Sequence, residues 1–284
     1  MKENRPSATA ESVARRRAAH QIFDDPTVLC DPLALRIIDA KTAAAVQSDP
    51  QGLEQTPWSR YLRASVAARS RYAEDQLDIA VKRGVRQYVI LGAGLDTFAY
   101  RNSYPEDTLH VFEVDHSATQ AWKRARLDEG GIRVPCTLTF VPVDFETQAV
   151  ERELRRAGFK ANEPSFFSWL GVTHYLTIEA ITDMLRFVAS MPVESVIVFD
   201  YMIPPSLLSP ISRQAYEALA HRVELAGEPF QSSFDPSSLE ITLKAMGFGQ
   251  IEDVGPTEIN ARYFSGRADG LKVGDGVHFM KAQV

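Results

Sequence analysis

A chain of 284 residues with 45% hydrophobic and 24% charged side chains has the composition of a folded globular protein, which excludes disordered and fibrous classes. Its length suits one large α/β domain with a well-buried core. The formal charge of -6 argues against a nucleic-acid scaffold, and Cys30 and Cys136 lack the CxxC or Cys/His spacing of a zinc cage or disulfide framework.

The N-terminus, MKENRPSATAESVARRR, lacks the apolar region of a secretory signal, and no run approaches the roughly 18 apolar residues of a membrane span. A cytoplasmic location, no membrane partner and no metal are therefore expected. The triplet Arg15, Arg16 and Arg17 reads as the solvated face of an N-terminal helix. From about Glu11 to Ala80 the pattern is helical and alanine-rich, broken at Asp25-Pro26, Asp31-Pro32, Asp49-Pro50 and Thr56-Pro57, because proline pushes the preceding residue out of the helical region. The clearest helix spans Tyr61 to Arg83, with Leu62, Val66, Tyr72, Leu77 and Val81 near helical spacing and Gly84 as its stop.

The period then changes. Gln87 to Leu91, Leu109 to Val114, Leu138 to Val143, Ser165 to Leu170 and Ser195 to Phe199 are short runs of β-branched, aromatic and aliphatic residues. Between them, Ser117 to Glu129, Thr147 to Ala157 and Ile178 to Met191 can form helices. This alternation predicts an α/β fold: a Rossmann-like, mostly parallel sheet of seven strands with helices on both faces and an N-terminal helical cap. Further helices are expected at about Pro210 to Ala226 and Pro236 to Met246, and final strands near Gln250 to Val254 and Val277 to Ala282. Residues 1–284 read as a single domain, with 1–60 as cap and 61–284 as sheet core.

The first strand runs into Gly92, Ala93 and Gly94. Glycine permits a sharp turn and a close ligand approach, although such a turn fits a bare tight turn as well as a binding loop. Thr97 stands where a dinucleotide fingerprint would place its third glycine, which favours a ligand without a pyrophosphate. The next strand ends FEVD, so Glu113 and Asp115 lie 19 and 21 residues beyond Gly94, the distance at which such folds place a ribose-binding acid. Either could instead cap a helix. The third strand ends with Asp144 and Phe145, which could hold an adenine, or Asp144 could cap the following helix.

Four segments, YVILGAGLDTFAYR (Tyr88 to Arg101), VFEVDHSATQAWKR (Val111 to Arg124), FVPVDFE (Phe140 to Glu146) and FFSWLGVTHYLT (Phe166 to Thr177), resemble consecutive motifs of the leucine carboxyl methyltransferase family. The likeness covers roughly Ala10 to Met202. It implies a class I fold and S-adenosylmethionine as cofactor, with Gly92, Ala93 and Gly94 at its amino-acid end and Asp115 on the ribose, Glu113 being the other acidic candidate. It further implies Asp144 and Phe145 at adenine and Arg69, in VAARSRY, on the cofactor carboxylate; Trp169 is a further cofactor-binding candidate. Family members commonly carry a glutamate after the fourth strand, as in WEGV or SECV. This chain has Trp169-Leu170-Gly171-Val172, and Leu170 cannot accept a hydrogen bond, so methylation of a phosphatase tail is not inferred.

The expected activity is O-methylation of a small-molecule carboxylate or hydroxyl. A hydroxyl acceptor would profit from a base, for which His174 is the first candidate, with Tyr175, Asp200 and Tyr201 also near strand ends. Trp58, Tyr61, Trp169, Tyr175 and Tyr201 are candidate pocket walls. The alternatives are a nicotinamide-dependent oxidoreductase on the same sheet, which needs a fuller glycine fingerprint, and a silent adenosylmethionine-binding protein. The N-terminal segment is expected to cover the acceptor pocket, its first dozen residues remaining mobile until substrate binds.

Overall fold

The computed structural model describes residues 7–49, 58–106 and 108–284. Seven strands form one sheet in the order β3-β2-β1-β4-β5-β7-β6: β1 (Gln87–Leu91), β2 (His110–Asp115), β3 (Leu138–Pro142), β4 (Ser165–Trp169), β5 (Val196–Met202), β6 (Gln250–Val254) and β7 (Val277–Gln283). The first five are parallel, and β7 inserts antiparallel between β5 and β6. The order reverses direction at β1, which opens a crevice at the carboxyl ends of β1 and β4. Every residue of β1 and β4 is buried, as central strands covered on both faces must be.

Three helices precede the sheet: α1 (Ala8–Phe23), α2 (Ala40–Ser48) and α3 (Ser59–Lys82). Within and after it come α4 (Phe98–Arg101), α5 (Ser117–Glu129), α6 (Val150–Arg156), α7 (Ile178–Ala189), α8 (Pro210–Leu225), α9 (Pro236–Met246) and α10 (Pro256–Tyr263). Local chemistry sets several starts. Ser7, Asp39, Thr177, Ser209 and Asp235 each accept an amide of the first turn that would otherwise lack a partner. Helix α10 falls where no helix is expected; Gly255-Pro256 opens it, with the proline in its first turn.

One apolar layer joins Leu77 and Tyr72 of α3 to Tyr88, Phe166 and Phe279 of the sheet. The opposite layer joins Leu154, Leu185 and Leu243 to Phe167, Phe199 and Met280. A third cluster unites Ala14, Ala18, Leu33, Ile37 and Val46 with Leu95, Leu127 and Ile132. The N-terminal segment thus buries most of its few apolar side chains against α5 and the turn after β1, and Val28 and Leu29 in the layer with α3. Ser7 to Ser12, expected to be loose, form the cap and first turn of α1. Residues 1–6, which carry the rest of that expectation, lie outside the described residues, as do Pro50 and Thr56-Pro57.

The arginine triplet is not a solvated face. Arg17 is buried, pairs with Asp31 at 2.7 Å and donates to the carbonyl of Leu95, while Arg16 turns toward the interior. Among the described residues, no helix is long and apolar enough to cross a membrane.

Candidate cofactor and acceptor site

A cavity of about 530 Å³ opens at the carboxyl ends of the parallel strands, beneath α1 and beside α3 and α8. Its floor is the turn after β1. The amides of Gly92 and Ala93 both donate to the carbonyl of Val114, at 2.8 and 3.1 Å, which draws the turn against the end of β2. Gly92 has φ +67° and Gly94 φ +44°, a region that side chains strain. A Cβ at Gly92 would overlap the Val172 side chain, and one at Gly94 would lie 3.2 Å from Cβ of Ala10. Thr97 is buried and donates to Asp31 at 2.6 Å. The position of the missing third glycine therefore anchors the N-terminal segment to the turn.

Asp115 completes the turn. Its Oδ2 accepts the Gly94 amide at 2.6 Å and its Oδ1 the His116 amide at 2.7 Å. Burial raises its pKa against the pull of these two amides. Each oxygen retains a lone pair that could accept a hydroxyl. Glu113 does not reach the cavity. It is fully buried, pairs with Lys123 at 2.7 Å and accepts from the Tyr100 hydroxyl at 3.2 Å; burial pushes its pKa up to about 7 despite Lys123. Of the two carboxylates of FEVD, the structure thus brings only Asp115 to the site.

Asp144 and Phe145 line the cavity beyond β3. Oδ1 of Asp144 also accepts the Glu146 amide at 3.0 Å, so this carboxylate shapes its own turn. Trp169 is completely buried, 6.2 Å from Phe145 between ring centroids, and is absent from the cavity wall. Successive strand residues face opposite sides of a sheet, so β4 sends Trp169 into the core and presents Ser168 and Leu170 to the cavity.

Arg69 projects from the middle of α3 into the cavity, and its Nη1 donates to Oδ2 of Asp200 at 3.1 Å. Oδ1 of Asp200 accepts the Gly171 amide at 2.5 Å. Any Cβ at Gly171, where φ is +73°, would collide with the Arg69 guanidinium. Asp200 therefore supplies a carboxylate beside Leu170. Arg71, two residues on, points outward to Asp75.

His174 and Tyr175 occupy a single 3-10 turn after β4 (Thr173–Tyr175). His174 lines the cavity with its Nδ1 enclosed and without a partner. Burial, aided by Arg69 and opposed by Asp200, lowers its pKa to about 4. The imidazole is neutral near pH 7 but holds a proton weakly, so the ordinary pKa that made it the first candidate base does not survive folding. Burial pushes the Tyr175 phenol up to about 12, so it stays protonated. Among the other candidate wall aromatics, Trp58 and Tyr61 pack on each other, and Tyr201 is buried with its hydroxyl on Asp253.

The roof was not legible from motifs. The amide of Gln231 donates to the carbonyl of His174 at 2.7 Å, and the Ser232 hydroxyl to that of Thr173 at 2.9 Å. Glu228, on the same connection after α8, accepts from the Thr9 amide and hydroxyl at the start of α1. These contacts hold α1 over the cavity. The local signal was thin: an acid after a glycine, in AGEPF, more than 200 residues from its partners.

The residues fit an adenosyl amino-acid cofactor. The cavity lies within the range of small-ligand sites, a few hundred to about 1,000 Å³, with a glycine turn for close approach, a carboxylate at a strand end and a guanidinium for a carboxylate group. Sheet order, reversed seventh strand and cavity position together define an α/β methyltransferase-like fold. The family model described as leucine carboxyl methyltransferase matches residues 10–189, and the chain belongs to that family. A curated relative, "Putative S-adenosyl-L-methionine-dependent methyltransferase YktD" of Bacillus subtilis strain 168, is 33% identical over 99% of both chains. A similarly named protein of Mycobacterium avium strain 104 is 29% identical over 87% of this chain and 80% of its own length. Among solved structures, a DUF574 family protein from Streptomyces avermitilis has a TM-score of 0.58 at 16% identity, covering 94% of this chain and 96% of that one. A "putative methyltransferase" from Thermobifida fusca has 0.56 at 15%, covering 99% and 96%. At such identities the structural likeness concerns the fold. Family and relatives agree on an S-adenosylmethionine-dependent methyltransferase.

Proposed function

We propose that this methyltransferase transfers the methyl group to an oxygen, carboxylate or hydroxyl, of a small molecule. The observation that carries this reading is the make-up of one cavity: the glycine turn, Asp115 and Arg69 at the strand ends, and an outer chamber, the part of the same cavity walled by α1 and α8. In this reading Asp115 holds ribose hydroxyls, Asp144 and Phe145 the base, and Arg69, fixed by Asp200, the amino-acid carboxylate.

Adenosylmethionine supplies an electrophilic sulfonium methyl when bound. The chain's own work is to orient the acceptor oxygen and exclude water. The described part of the N-terminal segment acts as a cover, and Tyr175 and Phe230 close the acceptor side, their rings 5.5 Å apart. A carboxylate acceptor needs no base. For a hydroxyl acceptor, neutral His174 accepts its hydrogen bond and aligns the oxygen; as the oxygen–methyl bond forms and the methyl–sulfur bond breaks, the released proton passes to the imidazole, whose lowered pKa lets it go on to water.

Titration calorimetry with adenosylmethionine, adenosylhomocysteine and NAD(P) tests the cofactor, with affinity expected for the first two alone. Transfer of labelled methyl from adenosylmethionine into a metabolite extract, followed by alkaline hydrolysis, separates esters from ethers. Binding without transfer would favour a silent binder, and label stable on nitrogen or carbon would refute O-methylation.

A further inference from the structure

The outer chamber carries two guanidinium groups that, among the described residues, form no ion pair with an acid. Arg16 of α1 lines it, and among the described residues its side chain donates only to the hydroxyl and carbonyl of Ser12 on its own helix, with Nε enclosed and without a partner. Arg222 of α8 lines the same chamber and, among the described residues, makes no ion pair through its side chain. Of the other charged groups on this part of the wall, Arg17 is held by Asp31 and Arg69 by Asp200, and the Glu228 carboxylate accepts hydrogen bonds from Ser7 and Thr9 at the start of α1.

Arg16 is half-buried and Arg222 exposed at the rim; like charges at one cavity wall repel, and the cost falls when an anion enters between them. Arg16 registers that repulsion: burial together with Arg222 and Arg15 lowers its pKa to about 10. The pair stands out in a chain of net charge -6. Leu219 and Val223 of α8 with Phe230 add apolar wall to the same cavity.

We propose that Arg16 and Arg222 recognise a carboxylate on the methyl acceptor, which is thus an organic acid with an apolar body. This deepens, and rests on, the methyltransferase reading. The gripped carboxylate is a handle rather than the methylated group. Guanidinium forks occupy its lone pairs and draw off its charge, which makes its oxygens poor nucleophiles. The methylated oxygen is a second group on the same molecule, turned toward the strand ends.

The test compares octanoate with octanamide, equal in chain length but differing in charge, by calorimetry on the full chain with and without saturating adenosylhomocysteine. Octanoate should bind about tenfold more tightly than octanamide or better, as expected for a charged hydrogen-bonded pair. Arg16→Gln and Arg222→Gln should each reduce that preference below about threefold, and Arg222→Lys should restore part of it. Arg186→Gln, which removes an exposed charge on α7, should leave it intact. Adenosylhomocysteine affinity should stay within about twofold in all variants. No preference for the acid in the unmodified protein, including no binding by either probe, overturns the proposal. So does a preference that survives both glutamine variants, or a matching fall in adenosylhomocysteine affinity, which would assign the arginines to the cofactor. Failure of the unmodified protein to bind adenosylhomocysteine is read separately; it would remove the methyltransferase reading and the acceptor role with it.

Discussion

Gly94 donates its amide to Asp115 at 2.6 Å, so the turn ending β1 and the carboxylate ending β2 form one unit. Neither can change without moving the other. The same carboxylate oxygen that would meet a ribose hydroxyl also sets the height of the glycine turn.

Replacement of Gly92 by alanine is expected to cost about 1–2 kcal/mol in stability, from its left-handed backbone alone. The new methyl would also meet Val172 and displace the segment leading to His174. Calorimetry should show adenosylhomocysteine affinity reduced about tenfold or more while circular dichroism remains that of a folded protein. Wild-type affinity in that variant would show that the turn does not touch the ligand.

The two acids of β2 should separate cleanly. Asp115→Ala removes two amide acceptors and is expected to weaken adenosylhomocysteine binding by about 1–3 kcal/mol. Glu113→Gln leaves Lys123 buried without its counter-charge and should cost about 3–5 kcal/mol of stability, with little effect on ligand affinity at temperatures where it stays folded. Joint replacement of Glu113 and Lys123 by Leu and Met should recover much of that loss. The measurements are denaturant unfolding and calorimetry side by side, and reversed assignments would move the ribose site to Glu113.

Protonation of His174 should govern part of the acid sensitivity. Its folded pKa is about 4, against about 6.5 in an unfolded chain. Between these values the unfolded chain carries the extra proton, so stability is present above pH 6.5 and falls as pH drops toward 4, by about 3 kcal/mol in total. Unfolding free energies measured from pH 7 to 4 should fall less steeply in His174→Gln than in the unmodified protein. Parallel curves would mean that the imidazole is not buried neutral. The difference between the two proteins isolates this group from Glu113, whose raised pKa acts in the opposite sense, lowering stability as pH rises from about 4.5 to 7.

Glu228→Ala should loosen the roof. Losing its bonds to Thr9 and Ser7 frees the start of α1, while the ion pair between Arg17 and Asp31 still holds the helix's middle to the fold. Steady-state kinetics on an identified acceptor should show KM for the acceptor raised about fivefold or more, with adenosylhomocysteine affinity within about twofold. Unchanged acceptor KM would mean that the contact does not shape the outer chamber. Truncation of residues 1–19 is a poorer probe of this cover, since it would also remove Ala14 and Ala18 from their apolar cluster and Arg17 from Asp31.

Local pattern carried most of the scaffold. Short apolar runs located six of the seven strands to within a residue at each end, the fifth running on three residues past its expected end to Met202, and α5 and α9 matched their expected bounds, because these features depend on neighbours in the chain. The motif order was sufficient for the family, and the glycine turn with an acid about 20 residues on located the cavity floor. Tertiary packing decided the rest. Glu113 and Asp115 share a strand face by parity, but only the arrival of Lys123 and Tyr100 over one and the Gly94 amide under the other separates them. Alternation along β4 is legible, whereas which of Trp169 and Leu170 faces the cavity depends on the layer above the sheet. Arg16 and Arg17 are adjacent in sequence and alike in chemistry; one faces an open chamber and the other a buried aspartate. Arg222 and Glu228 lie more than 200 residues from the α1 residues they face, and no local signal spans that separation. Charges acquire a role here from what folding leaves unpaired, and that is a property of three-dimensional neighbours.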